Sequence, residues 1–249
     1  MIRLRRVPLA HLNAWMVQQS VPSTNGTYRV RLWREDANQF GAVLTDLRAY
    51  IDEALEDARN RLRRGFVDLL SPFNDSALDP AANYPGVLNR VTLQGYLGET
   101  LAVLAVEHWG AHGSNEWCVP ALLFRFHTVE FQHLDLINQR LRDGHAHDPD
   151  ASEELRPGRT GDDGLAFVKD EHNRITAVLT LEAKCATRHR ANTIQAVHSK
   201  LASTPQLPPG VRELIELLGD YDTEAASEWQ EALLRLWHNG VRSIPKVAY

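Results

Sequence analysis

Two apolar runs separated by a short polar break constrain this chain most. The first is Gly161 to Val168, the second Ile175 to Cys185, and between them stands Asp170-Glu171-His172-Asn173-Arg174. Runs of this length, rich in Val, Leu, Ile and Phe and split by a polar turn, predict a β-hairpin. A turn centred between His172 and Asn173 sets a register in which Asp163 falls directly opposite Glu182. Residues so paired have Cβ atoms about 5 Å apart. A turn shifted by half a residue puts Asp162 there instead, and the sequence leaves that choice open.

Lys184 lies two residues beyond Glu182, so it projects from the same face, while Ala183 points the other way, into a core. Two carboxylates this close repel unless positive charge sits between them. The open end of the hairpin therefore gathers two acids and one ammonium at the edge of an apolar sheet. That is a site for a hard divalent cation such as Mg²⁺, which takes few protein oxygens and keeps several waters.

The constellation resembles the PD-(D/E)XK nuclease superfamily. Asp163 and the run Glu182-Ala183-Lys184 match its acidic and E-x-K elements. Gly95-Tyr96-Leu97-Gly98-Glu99-Thr100-Leu101-Ala102 fits the helix before the core, with Glu99 as a further acid. Ala191 to Leu201 fits the helix after it, with Gln195 where some members carry a helper glutamine. The resemblance covers residues 95 to 201. It implies an α/β (α+β) fold with a restriction-endonuclease-like core, a mixed central β-sheet flanked by helices. It implies Mg²⁺, with Mn²⁺ able to substitute, held by Asp163, Glu182, a main-chain oxygen near Ala183 and Glu99. The implied activity is metal-dependent hydrolysis of DNA, double- or single-stranded, with Lys184 and Gln195 completing the catalytic set.

The rest of the chain is read around that core. Tyr28-Arg29-Val30-Arg31-Leu32-Trp33 alternates and suggests a strand after the turn-rich Pro22-Ser23-Thr24-Asn25-Gly26. Thr45 to Leu70 is the clearest helix, with Leu47, Ile51, Leu55, Ala58, Leu62, Phe66 and Leu69 at helical spacing. Its other face carries Arg59, Arg61, Arg63 and Arg64, which suit either a phosphate or the helix dipole. Asn74 to Pro85 is a loop, and Val87 to Trp109 a long apolar helix, or two, with Leu93, Leu97, Leu101, Leu104 and His108 along one side. Glu99, set among apolar neighbours, needs a partner or solvent.

Trp117 to Phe126 reads as a core strand, and Gln132 to Leu141 as a short helix. Arg142 to Arg159 is polar and rich in breakers; His145, His147 and Asp148 there offer an alternative transition-metal set. Arg156, Arg159 and the cluster Thr187-Arg188-His189-Arg190 are cations suited to phosphate. Thr204 to Gly210 is a connector; Val211 to Leu218 and Glu224 to Trp237 are amphipathic helices, the second with a Trp229, Leu233, Leu236, Trp237 stripe. Ser243 to Val247 is the one candidate for a last strand. The expected organisation is a mainly helical extension over residues 1–86, a nuclease-like core over 87–203, and C-terminal helices over 204–249 packing on it.

Composition bounds the function. A run of 18 apolar residues, the length a membrane span needs, does not occur. The opening Met-Ile-Arg-Leu-Arg-Arg-Val lacks the apolar core of a secretory signal. Two cysteines, Cys118 and Cys185, suit reduced cytoplasmic thiols. The net charge of −5 weighs against a tight independent DNA binder and points to cleavage that is non-specific or directed by a partner. A helical extension before a compact nuclease core looks like prokaryotic defence nucleases. The nuclease subunit of the Hachiman anti-phage system, which pairs with a helicase, is of that kind. A helicase or other ATPase partner is expected on that basis, and homo-oligomerisation is left open. The alternatives are a catalytically inactive nuclease-like subunit that binds within a nucleic-acid-processing complex, and a metal hydrolase built on the histidine loop.

Overall fold

The structure, a computed structural model, describes residues 7–19, 31–65, 79, 81–122, 134, 136, 137, 139–141, 143–149, 163–186, 192, 195–197, 199, 207–239 and 246–248, with main chain alone at 61, 64, 65 and 246–248. The chain divides into two compact units, Arg3–Glu53 and a larger one over Ala54–Tyr249. The whole is mixed α and β. No helix among the described residues is long and apolar enough to cross a membrane.

In the first unit, helix α1 (Leu9–Trp15) leads directly into strand β1 (Met16–Gln19), which pairs antiparallel with β2 (Leu32–Glu35). Of the strand expected over residues 28–33, residues 28–30 lie outside the described residues; 32 and 33 are in β2, which runs two residues further. Trp15 ties the unit together: its ring lies 5.8 Å from that of Phe40, and its indole N–H donates to Glu35 Oε1 at 2.9 Å. Leu12, Trp15, Val43, Leu47 and Tyr50 are buried. Asp36 caps a short 3₁₀ turn (Ala37–Gln39) by accepting from the Asn38 N–H at 3.0 Å.

Helix α2 (Phe40–Gly65) starts five residues earlier than its spacing suggested. Its arginines are engaged within the protein. Arg63 donates to both oxygens of Asp79, and Arg59 donates to the Tyr84 carbonyl. Hydrogen bonding to Asp79 raises the Arg63 pKa above its ordinary value, and the same bond holds the Asp79 carboxyl below the usual aspartate range. Arg59 and Arg63 therefore clasp the segment that follows the helix, rather than forming an open phosphate edge. The side chains of Arg61 and Arg64, and the predicted helix end at 66–70, lie outside the described residues.

Helix α3 (Arg90–Trp109) is capped by Asn89, which accepts from the Thr92 N–H at 2.8 Å. Its buried face is Tyr96, Glu99, Thr100, Val103, Leu104, Val106 and Glu107. Leu93 and Leu97, expected on the inner side, are exposed instead.

The predicted hairpin is strand β3 (Gly164–Lys169) against β4 (Ile175–Leu181). The ladder runs from Gly164↔Leu181 to Val168↔Ala177, the register that brings Asp163 opposite Glu182. Near the turn it shifts by one residue, Lys169 pairing with Ile175, and the Thr176 hydroxyl donates to Val168 O at 3.2 Å. The turn is organised by Asp170, whose carboxylate accepts the His172 and Arg174 main-chain N–H groups and the Arg174 guanidinium. Asn173 takes φ 59°, a left-handed conformation that asparagine tolerates better than most residues.

Strand β5 (Lys246–Ala248) pairs parallel with β4, which makes β4 central in a mixed three-stranded sheet. It overlaps the last-strand candidate over 243–247. On the far side of β3, the segment expected as a strand over 117–126 contributes one bridge, Cys118 to Phe167, with both main-chain hydrogen bonds at 2.9 Å. Residues 123–126 lie outside the described residues.

The sheet's two faces are covered differently. Leu165, Phe167 and Val178 pack against helices α4 (Gly210–Leu218) and α5 (Glu224–Asn239) through Val211, Leu214, Leu217, Leu233 and Leu236. The C-terminal helices thus pack on the core. Trp229 packs on the cluster's margin, but Trp237, expected in the stripe, is exposed. Lys169 Nζ stands 3.4 Å from the Trp229 ring centroid and donates to Asn173 Oδ1 at 2.7 Å. Burial there pulls the Lys169 pKa below its ordinary value despite Glu228 nearby.

Candidate functional site

Beyond Gly164↔Leu181 the two strands leave the ladder, and the candidate residues sit where they part. Asp163 is buried, and its Oδ2 accepts the Ala183 main-chain N–H at 2.7 Å. That bond carries the pairing one step past the last ladder rung and fixes the carboxylate across the strand gap. Lys184 Nζ donates to Glu182 Oε1 and stands 3.7 Å from Asp163 Oδ2. The Glu182 side chain is 2% exposed whereas that of Lys184 is 47% exposed. A buried carboxylate is thus neutralised by an ammonium that reaches it from solvent, as a charge at that depth requires.

Strand alternation accounts for who meets whom. Residues 180, 182 and 184 share one face of β4 and its continuation; 181, 183 and 185 share the other. Helix α3 covers the second face, and two glycines let it come close. A Cβ added at Gly98 would lie 3.2 Å from Cys185 Cβ and 3.9 Å from Ala183 Cβ. One added at Gly164 would lie 3.3 Å from Val103 Cγ2. Glu99 follows Gly98 and precedes Val103 by one helical turn, so α3 carries it to the same end of the hairpin. It is 2% exposed there, not at the solvated helix start.

The structure therefore links Asp163, Glu182, Ala183 and Lys184 through the Ala183 N–H and the Lys184 ammonium. Glu99 is buried on α3, next to the Gly98 that meets Cys185, and among the described residues it is not grouped with the two carboxylates as a metal site. Gln195 is exposed among helical residues of the segment expected as a helix. No contact among the described residues ties it to the carboxylates. Asp162, Arg156, Arg159 and residues 187–190 lie outside the described residues. In the histidine loop, His147 Nε2 bonds the Val87 carbonyl at 2.8 Å and His145 is exposed, so His147 anchors the loop start rather than joining a ligand set. Among the described residues, no three of His, Cys, Asp and Glu are grouped as a metal site.

Glu107 and Thr180 are among the buried polar groups not singled out from sequence. Glu107, two helical turns beyond Glu99 on the same face, accepts the Val119 N–H at 3.1 Å and holds the segment beside β3. Thr180 is 2% exposed, and its hydroxyl has no hydrogen-bond partner among the described residues. Its spacing from Glu182 was the signal: two residues apart on a strand is one face.

The groups that meet here among the described residues are hard oxygens, the Asp163 and Glu182 carboxylates with the Thr180 hydroxyl nearby on the strand, the donor chemistry that a divalent cation retaining its waters takes. No family model, curated protein or solved structure matches the chain.

Proposed function

We propose that this protein is a Mg²⁺-dependent deoxyribonuclease of the PD-(D/E)XK type, acting in the cytoplasm on DNA delivered by a protein partner such as a helicase. The observation that carries this reading is the Lys184 ammonium reaching both Asp163 and Glu182 at the open end of a hairpin. The mixed sheet with β4 central, α3 on one face and α4 and α5 on the other, supports a restriction-endonuclease-like core. A defence role against phage rests on the layout of the chain alone.

In this reading Asp163, Glu182 and the Ala183 main-chain oxygen would hold the cation, with Glu99 as a further acid from α3. Bound there, Mg²⁺ or Mn²⁺ supplies an activated water and offsets charge on the scissile phosphate. Asp163 would be held in place for this by the Ala183 N–H that its Oδ2 accepts. Lys184 turns from the carboxylates towards the phosphate, orients the attacking water and stabilises the charge that grows in the transition state. Gln195 orients water or backbone from the following helix.

The same ammonium contact favours a second reading, a catalytically inactive nuclease-like subunit. A carboxylate pair already neutralised by lysine is complete as a structural ion cluster. Purified protein with plasmid DNA and Mg²⁺, alone and with the products of adjacent genes, separates the two. Nicking that falls by at least about a hundredfold in Lys184→Ala and in Asp163→Asn supports the nuclease. The amide in Asp163→Asn keeps an oxygen for the Ala183 N–H, so unchanged melting isolates the loss of charge. Equal nicking by all three proteins removes the assigned roles, and no nicking under any condition leaves the binding subunit.

A further inference from the structure

Resting on the metal-site reading, we infer that Thr180 is a positioning residue of the same site, its hydroxyl holding a water beneath the Asp163–Glu182 pair. Thr180 is 2% exposed, and its Oγ1 has no hydrogen-bond partner among the described residues. A hydroxyl buried without a partner is costly, and a valine of the same shape would avoid the cost. Its surroundings say what the hydroxyl is for. It pairs with Leu165, two residues from Asp163, and precedes Glu182 by two residues on one face of β4.

Below Thr180 on that face the sheet is apolar, through Phe167 and Val178 against α4 and α5. Above it stand the two carboxylates. Thr180 is thus the last polar group before the core. Same-face neighbours two residues apart lie about 7 Å from each other along a strand. One water making two hydrogen bonds spans about 5.6 Å, and the Glu182 side chain covers the remainder. A buried water needs two to four polar partners; the hydroxyl and the two carboxylates supply them. A hard cation keeps most of its waters, and groups behind the ligands fix those waters in place.

The test is Mn²⁺ binding to the full chain by titration calorimetry, with melting temperature as a separate readout. Thr180→Ser keeps the hydroxyl and is expected within about twofold of the wild-type affinity. Thr180→Val is expected to bind Mn²⁺ about tenfold more weakly, while its metal-free form melts at or above the wild-type temperature. A merely structural threonine would shift melting and leave the affinity alone. Wild-type affinity in a stably folded Thr180→Val overturns the inference. If Thr180→Val does not melt cooperatively, Thr180→Ala is read in its place by the same criterion. If wild type binds no Mn²⁺, or binds it as Asp163→Asn does, the metal-site reading itself falls and takes Thr180 with it.

Discussion

Because the Lys184 ammonium touches both acids of the pair, a divalent cation that binds them must displace it. The lysine is both the proposed water-orienting group and the site's internal competitor. Its side chain is half-exposed, so the competing ion pair is worth at most about 1 kcal/mol. Lys184→Met, which keeps the stem and removes the charge, is therefore expected to bind Mn²⁺ about two- to fivefold more tightly while cleavage is lost. Titration calorimetry reads the first effect and plasmid nicking the second. Weaker binding in Lys184→Met would mean that the ammonium helps to assemble the site instead of guarding it. Asp163 behaves differently, since its anchor is a main-chain N–H that no cation displaces.

At the level of elements, the approach of α3 to the hairpin depends on the missing side chain at Gly98. A β-branched residue there has no room against Cys185 Cβ. Gly98→Val should cost about 1–3 kcal/mol in urea unfolding and weaken Mn²⁺ binding by moving Glu99 and the Ala183 peptide apart. Unchanged stability would show that α3 can slide. The Asp79–Arg63 clasp carries a pH signature. Asp79 has a folded pKa below its unfolded value, so its contribution is complete above about pH 4 and is lost as pH falls through the folded pKa. Asp79→Asn should flatten that acid limb of the stability profile, measured by thermal melts from pH 3 to 6. Near neutrality it should cost no more than about 1 kcal/mol.

The same elements explain which parts were legible in the sequence. The β3–β4 hairpin was readable because its determinants are local: two apolar runs, Asp170 accepting the turn's N–H groups, and Asn173 tolerating a left-handed backbone; the choice between Asp162 and Asp163 was left open in the sequence and is made by the observed ladder. The inner face of α3 was not. That helix is strongly apolar, so Leu93 and Leu97 line up along one side with Leu101 and Leu104, although the buried face is chosen by two glycines and a distant strand end. The Cys118 bridge and the parallel β5 depend on partners far away in sequence, which no local pattern encodes. Glu182, Lys184 and Asp163 were legible as a trio; the role of Thr180 required knowing that none of the described residues meets its hydroxyl. The roles of Arg59 and Arg63 stayed open between a phosphate and the helix dipole because their partners, the Tyr84 carbonyl and Asp79, sit in a segment read as loop.

For the molecule as a whole, 27 basic against 32 acidic side chains leave a net charge of −5. Such a chain gains little from general attraction to phosphate. By fluorescence anisotropy at about 150 mM salt, the protein alone should bind duplex DNA no more tightly than about micromolar. A partner that supplies the DNA should lower the amount of protein needed for nicking without altering the metal requirement. Tight binding by the isolated chain would instead locate a strong basic surface of its own.

The one-residue slip near the turn has a reach beyond its size. Thr176 absorbs an odd residue, and only then do the strands count down evenly until Asp163 and Glu182 face each other. The far loop works like a vernier: lengthening or trimming it by a single residue would slide one acid past the other and rotate it to the wrong side. The chemistry proposed at one end of this hairpin is set by an adjustment made at the other.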